Sequence, residues 1–403
     1  MAKQIEEKVD SCEFVTSRII LKEIQKEVKK TRNASTNILL SPLSLHAVMN
    51  MMAAGATGDT LNQMLQFLGS RDIAELNSKF ANMAAVLSSN SNGGPDLSFL
   101  NGMWVAHTHQ LRDSFKELAS SLYKIEPKVV DFKLKEEVVK DVNTWAESAS
   151  RGLIKDILKP DHIREVTKVL LANALYFKGT WKFDEKYTTD KYFHLLNGDK
   201  ISVPFMTGCD EFTYGSFRGC QVVKIPYDIG KEVDNIDLSM FIFLPNKQNG
   251  LPRLLEKVNS HPNFFTKTFW LRYESLDEFY IPKFKFTYTA MKQIVRTMKE
   301  IGLTLPFNDE CTEITEIVEP DGQSFYINEI IQKAFIEVNE KGTEAAAVTE
   351  LDFECGFSMY DEPPGPRFVA DHPFLFMVRE EVSRLVLFTG AVLNPSSDHS
   401  DTS

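Results

Sequence analysis

The sequence is short of cations: 45 Lys and Arg stand against 56 Asp and Glu, a formal charge of −11 over 403 residues. A phosphate backbone repels such a surface, and no basic stripe is concentrated enough to override that repulsion, which argues against nucleic acid as a partner. Long apolar runs are missing too. Nothing approaches the roughly 18 uncharged residues of a membrane span, so no transmembrane helix is expected. The opening Met1-Ala2-Lys3-Gln4-Ile5-Glu6-Glu7-Lys8 contains no apolar stretch of the kind a secretory signal needs. Cysteine is sparse. Cys12, Cys209, Cys220, Cys311 and Cys355 are odd in number and widely scattered, a pattern that makes neither a disulfide framework nor a zinc site and suits a reducing compartment. The cytoplasm is the expected location.

Catalytic constellations are absent as well. There is no Gly-x-Ser-x-Gly elbow, no P-loop and no Gly-x-Gly-x-x-Gly. His107-x-His109 could set two imidazoles on one strand face, but no third ligand lies nearby in sequence, and two polar residues at a strand end is the plainer reading. Asp371-His372-Pro373 leads straight into the apolar Phe374-Leu375-Phe376, which favours a structural histidine over an acid–base pair. No catalytic residue, metal ligand or cofactor site is assigned, and the chain is not expected to be an enzyme.

What is present is an ordinary globular composition, 43% hydrophobic and 25% charged, in a chain long enough to bury a core without disulfide or metal staples. Phe14, Ser17, Leu21, Ile24 and Val28 fall at helical spacing. Ser41-Pro42 can open a second helix, and from Leu45 to about Ala54 it is apolar nearly all round, as a buried helix is. Val138, Val142, Trp145 and Ala149 mark another helix, with Gly152 placed to stop it. Val169 to Phe177, Met240 to Leu244, Phe335 to Val338 and Leu385 to Phe388 read as strands, and Phe279 to Tyr288 as one half-buried strand. Helices come early and strands late, without βαβ alternation, and no linker divides them. The expectation is a single α+β domain over residues 1–403.

One segment does not look like core. From Thr343 the chain alternates. One face carries Thr343, Ala345, Ala347, Thr349, Leu351, Phe353 and Cys355; the other carries Glu344, Ala346, Val348, Glu350, Asp352 and Glu354. That is a strand pattern with an acidic outer face, yet the run is too long for a typical strand and ends in Asp361-Glu362-Pro363-Pro364-Gly365-Pro366, which can only be loop. A long edge strand is one reading. A segment with two states, exposed in one and a sheet strand in the other, is the sharper one.

Glu340-Lys341-Gly342-Thr343-Glu344-Ala345-Ala346-Ala347 resembles the hinge of the reactive-centre loop of serpins. The resemblance continues, in family order, through Asn37-Ile38-Leu39-Leu40-Ser41-Pro42-Leu43-Ser44, Asn173-Ala174-Leu175-Tyr176-Phe177-Lys178-Gly179-Thr180-Trp181, Ala370-Asp371-His372-Pro373-Phe374 and Leu387-Phe388-Thr389-Gly390. It covers about residues 10 to 396, and Phe193-His194-Leu195-Leu196-Asn197-Gly198 and Asn249-Gly250-Leu251-Pro252 are similar to the plant branch. The resemblance implies the serpin fold, with mixed sheets, a cluster of helices and an exposed loop over residues 340–366. It also implies a suicide-substrate inhibitor of a serine protease or a papain-like cysteine protease, whose cleaved loop inserts into the main sheet with the acylated protease attached. Loop insertion in serpins is itself a standard instance of strand addition. The face to be buried must carry no charge, and the face beginning at Thr343 carries none.

The seventeen residues from Glu340 to Gly356 place the reactive bond at Gly356-Phe357; counting back from Phe368 with plant-type spacing gives Phe357-Ser358 instead, and the hinge count is preferred. No Lys or Arg lies between Thr343 and Pro366, which disfavours a trypsin-like target. Gly342, Thr343, Ala345, Ala346 and Ala347 form the hinge with Glu340. Ser41, Ser44, Asn173 and Gln332 match the polar cluster where the family's sheet opens, and Trp181 and Lys283 match positions near the top of the insertion site. Glu340 and Lys283 match a pair there. Two departures stand out: Gln332 replaces the family's usual histidine, and Trp181-Lys182-Phe183 is shorter than the usual spacing. With the absent basic residue they favour the alternative of a non-inhibitory serpin that binds or stores. The expected partner is a target protease in a covalent acyl complex, with the serpin a monomer, in the cytoplasm or outside it by an unconventional route.

Overall fold

The computed structural model describes residues 11–30, 36–88, 95–179, 181, 183–208, 211–228, 237–261, 264–340, 364–397 and 399–401. Its helices are Ser11–Lys30 (α1), Pro42–Gly55 (α2), Gly58–Leu68 (α3), Ile73–Ser88 (α4), Asp113–Leu118 (α5), Lys135–Ala149 (α6), Leu251–Asn259 (α7) and Lys292–Glu300 (α8). Three sheets accompany them. The main sheet has six strands in the order His399–Asp401 (β17), Phe284–Ala290 (β12), Glu329–Val338 (β13), Val169–Lys178 (β4), Asp96–Ala106 (β2) and Lys128–Val130 (β3). A seven-stranded sheet runs Ile38–Leu40 (β1), Val386–Val392 (β16), Phe374–Glu380 (β15), Leu238–Pro245 (β9), Cys220–Pro226 (β8), Phe212–Phe217 (β7) and Arg272–Glu274 (β10). A four-stranded sheet runs Arg367–Val369 (β14), Glu278–Pro282 (β11), Lys200–Met206 (β6) and Thr189–His194 (β5).

Helix α2 explains much of the packing. Ser41 caps it by accepting the Ser44 N–H at 3.1 Å, and Pro42 sits in the first turn, where its missing N–H costs nothing. Nearly every residue of α2 is buried because it lies between the main sheet and the seven-stranded sheet, touching β4 and β2 on one side and β16 on the other. The inner face of the main sheet joins this core through Leu171, Leu175, Ile330 and Ala334. Its outer face carries a second core, in which Ala172, Ala174, Tyr176, Ile331 and Phe335 lie under Val142 and Ala146 of α6 and under Ile154, Ile157 and Leu158 of the connector that follows. Gly152, at φ +84°, ends that helix and turns the connector back over the sheet.

Two expectations are corrected. Strands and helices interleave: β2 precedes α5 and α6, while α7 and α8 come late in the chain. The run from Phe279 to Tyr288 is also not one strand. Pro282 lacks an N–H to continue a ladder, and the chain breaks at Lys283, leaving β11 in the four-stranded sheet and β12 in the main sheet. The buried positions shift phase across the break, from Phe279 and Ile281 to Phe284, Phe286 and Tyr288, so the period marks an interruption but not the change of sheet.

Gly390 in β16 lies where a Cβ would come within 2.3 Å of the Ile38 carbonyl oxygen, a backbone atom that cannot swing aside. Gly390→Ala is expected to cost about 1–3 kcal/mol through overpacking. A lower urea midpoint for the variant would show this, and an unchanged midpoint would refute the contact.

Candidate functional site

The two central strands of the main sheet meet in a long parallel junction. β4 pairs antiparallel with β2, and β13 pairs antiparallel with β12, but β4 and β13 pair with each other in parallel, in unbroken register from Leu170↔Glu329 to Lys178↔Glu337. On the outer face Tyr176 and Phe335, register partners across this junction, stack with centroids 5.5 Å apart. On the inner face Asn173 and Gln332 are register partners. The Gln332 Nε2 group donates to the Ser41 carbonyl at 3.1 Å, and the Ser41 N–H donates to Gln332 Oε1 at 3.4 Å, so one amide side chain clamps both backbone groups of the α2 cap. Asn173 donates to the Leu100 carbonyl and to Asn101 Oδ1, at 2.9 and 2.8 Å. Ser44 Oγ and Asn173 Oδ1 are buried without a partner among the described residues. Ser41, Ser44, Asn173 and Gln332 thus gather beneath one junction.

At the top of β13 stands Glu340, its side chain only 2% exposed, with Lys283 Nζ at 2.7 Å from Oε2 and the Thr188 hydroxyl donating to Oε1. These partners come from three places: the end of β13, the break between β11 and β12, and the residue before β5. Burial pushes the Glu340 carboxyl up, but the bonds from Lys283 and Thr188 outweigh it and leave the group below its ordinary value. Trp181 is buried against Tyr227 and Phe183 with ring centroids 5.5 Å away in each case, and Tyr227 in turn meets Phe177 edge-on at the upper end of β4. Gly342, Thr343, Ala345, Ala346, Ala347, Gly356 and Phe357 lie outside the described residues. The chain returns at the four-stranded sheet, where the Asp277 N–H donates to the Pro366 carbonyl at 2.9 Å and Arg367 pairs with Glu278.

Lys333 was not legible as a site residue. It projects from the outer face of β13, and its ammonium donates to the Lys155 and Asp156 carbonyls at 2.6 and 3.3 Å, tying the α6 connector across the junction. The signal was a lone cation inside Glu-Ile-Ile-Gln-Lys-Ala-Phe-Ile, since a buried ammonium needs acceptors. Thr188 had no signal at all.

The histidines resolve as structural. His107 is exposed and lies 3.7 Å from Asp131, while His109 is buried edge-on to Phe325 with Asp321 at 3.3 Å. His372 sits between the Asp371 carboxylate and the Pro245 carbonyl, each at 2.7 Å. Among the described residues no cluster of three or more His, Cys, Asp or Glu could hold a metal ion. None of their helices is long and apolar enough to cross a membrane.

A family model described as "Serpin (serine protease inhibitor)" matches residues 21–395, and the chain belongs to the serpin family. Its relatives are plant serpins of the Z type. Serpin-ZXA of Oryza sativa subsp. japonica is 40% identical over 369 residues, spanning 90% of this chain and 91% of that one. Serpin-ZX of Arabidopsis thaliana is 40% identical over 379 residues, 92% of this chain and 95% of that one. Among solved structures, Arabidopsis AtSerpin1, described as being in its native stressed conformation, superposes with a TM-score of 0.84 at 37% identity, covering 97% of this chain and all of that one. Protease inhibition is therefore the activity of the family to which this fold and sequence belong.

Two outcomes follow from the geometry. Because the folded Glu340 carboxyl binds its proton less readily than the unfolded chain does, its contribution is intact above its ordinary value of 4.5 and is lost as pH falls through the folded value. The urea midpoint of the wild type should therefore fall more steeply between about pH 5 and pH 3 than that of Glu340→Gln; equal slopes would remove Glu340 from this role. Lys333→Met should free the connector. A hydrogen bond to a charged group contributes about 1.5–3 kcal/mol, so the amides of Ile154 and Leu158, bonded to Ser150 Oγ and Asn143 Oδ1, should exchange with deuterium roughly tenfold faster or more. Unchanged exchange would show that the strap holds nothing.

Proposed function

We propose that this serpin inhibits a serine protease, or a papain-like cysteine protease, as a suicide substrate, and that residues 1–403 act as one domain without catalytic activity of their own. The protease nucleophile attacks the Gly356 carbonyl, the Gly356–Phe357 amide breaks, Phe357 leaves with the new amine, and the acyl-enzyme stays on Gly356. The segment beginning at Thr343 then enters the main sheet before water can hydrolyse the ester.

The observation that carries this reading is the parallel junction. Parallel pairing is slightly less stable per residue than antiparallel pairing. A strand returning from the top of β13 runs antiparallel to both β13 and β4, so insertion replaces one parallel interface with two antiparallel ones. A two-residue turn at Lys341-Gly342 sets Thr343 opposite Glu340 and Leu351 opposite Gln332. The uncharged face then joins the inward face of Gln332 and Ala334. Glu350 falls opposite Lys333, offering that ammonium a carboxylate in place of the connector carbonyls. The stressed native state named for the Arabidopsis neighbour supports the same reading. Scattered cysteines, with Cys220 and Cys311 free and buried, support a cytoplasmic location, and a monomer is the form that presents the loop.

Nicking the chain once within residues 350–358 tests the mechanism without knowledge of the natural target. Roughly ten new ladder hydrogen bonds at about 1 kcal/mol each should raise the melting temperature on the order of 20 °C. Incubation with an elastase-type protease, which accepts a small residue before the bond, or with papain should also give a complex that survives denaturation. Cleavage with neither effect would leave a non-inhibitory serpin that binds or stores.

A further inference from the structure

Trp270 is 87% exposed and Tyr273 is 77% exposed, and Arg272 between them is exposed as well. Large aromatics are seldom left so far out of the core. Their neighbours do not force it: Phe269 and Leu271 pack against the main core, so the chain is anchored without them. Trp, Tyr and Arg are the residues that dominate binding energy at protein interfaces, and here three of them fall within four positions. They lie on and beside β10, the last strand of the seven-stranded sheet, whose outer edge has no partner among the described strands.

This platform is continuous with the distal foot of the loop. Arg272 pairs with Tyr214 of β7, and the Tyr214 ring meets Phe368 edge-on at 6.5 Å. Four residues beyond Tyr273, the Asp277 N–H holds the Pro366 carbonyl, and a Cβ on Gly365 would lie 2.6 Å from the Asp277 carboxylate. Tyr273 is thus no more than about 14 Å of extended chain from the point where the loop lands. A protease of ordinary size is roughly 45 Å across, while Gly356 to Pro366 spans at most about 35 Å. A protease engaged at the reactive bond is therefore wide enough to reach the foot of the loop.

Resting on the inhibitor reading above, we propose that Trp270, Arg272 and Tyr273 form a second docking site for the protease held at the loop. The surface they fit is an apolar patch flanked by a carboxylate. Arg272 is the only cation between Thr268 and Glu278, whereas the loop from Gly342 to Pro363 carries acids and no cation. Arg272 sets one positive charge between the two rings, among the acids Glu274, Asp277 and Glu278 and beside the acidic loop, and this lone attraction orients the partner. The platform sets how fast and how selectively a protease is captured; loop insertion sets whether it is trapped.

The test compares the wild type with the triple variant Trp270→Ala, Arg272→Ala, Tyr273→Ala. A panel of chymotrypsin-, elastase- and papain-type proteases is first screened for covalent trapping by the wild type, and the protease trapped fastest becomes the probe. The triple variant should trap that probe at least tenfold more slowly. The inhibitor consumed per enzyme trapped, and the melting shift on nicking, should both be unchanged. Trp270→Phe with Tyr273→Phe should recover most of the rate. Equal trapping rates for wild type and triple variant would overturn the docking site and leave inhibition standing. A wild type that is cleaved but traps none of the panel would overturn the inhibitor reading, and the docking site with it, and this would be seen before any variant is made.

Discussion

The parallel ladder between β4 and β13 is the constraint on which the other features turn. The flanking strands β2 and β12 pair antiparallel with β4 and β13, and the edge strands β3 and β17 pair in parallel with those in turn. The two central strands are separated by some 150 residues of chain, running from Gly179 to Asn328, so nothing local fixes them as neighbours. They are held instead by what lies above and below: the α2 cap gripped by Gln332, the Tyr176 and Phe335 stack, the connector tied by Lys333, and Glu340 at the top. Each can be released without unfolding either strand. The junction thus combines weak intrinsic pairing with fastenings drawn from separate parts of the chain.

The fastenings differ in kind. Gln332 acts through an uncharged amide on backbone groups, satisfying a buried donor and a buried acceptor together. Lys333 brings a cation to two carbonyls, an arrangement that holds only while the connector stays down. Glu340 is half of an ion pair in which both carboxylate oxygens are engaged, and its burial makes the loss of either partner costly. The two ends of residues 341–363 are consequently anchored by different means, a charge pair where they leave the main sheet and a short parallel ladder with β11 where they rejoin the fold.

Much of this was legible in the sequence, for physical reasons that can be named. The apolar run from Val169 announced β4 because a strand buried on both faces has no polar side, and the all-apolar α2 followed from the same logic. The uncharged face from Thr343 is plain in the sequence, but those residues lie outside the described part of the structure. What could not be read was tertiary. The break at Lys283 shows only as a slip in phase, from Phe279 and Ile281 to Phe284 and Phe286, which does not say that the two halves join different sheets. Thr188 and the Lys155 and Asp156 carbonyls reach their partners only after distant segments have packed, and a carbonyl carries no side-chain signature. His109 illustrates the converse: its spacing from His107 suggested a shared face, but one ring is in solvent and the other is against Phe325.

The contrast between Gln332 and Glu340 gives the sheet a polarity. The amide at the lower fastening has no proton to gain across the range in which proteins stay folded, whereas the carboxylate at the upper one does. Acidification therefore weakens the upper fastening, beside the point where residues 341–363 leave the main sheet. At the foot of the same ladder the buried Glu329 carboxyl, pushed up by burial, meets acid in the opposite sense, so the two ends of one strand are tuned to pH in opposite directions.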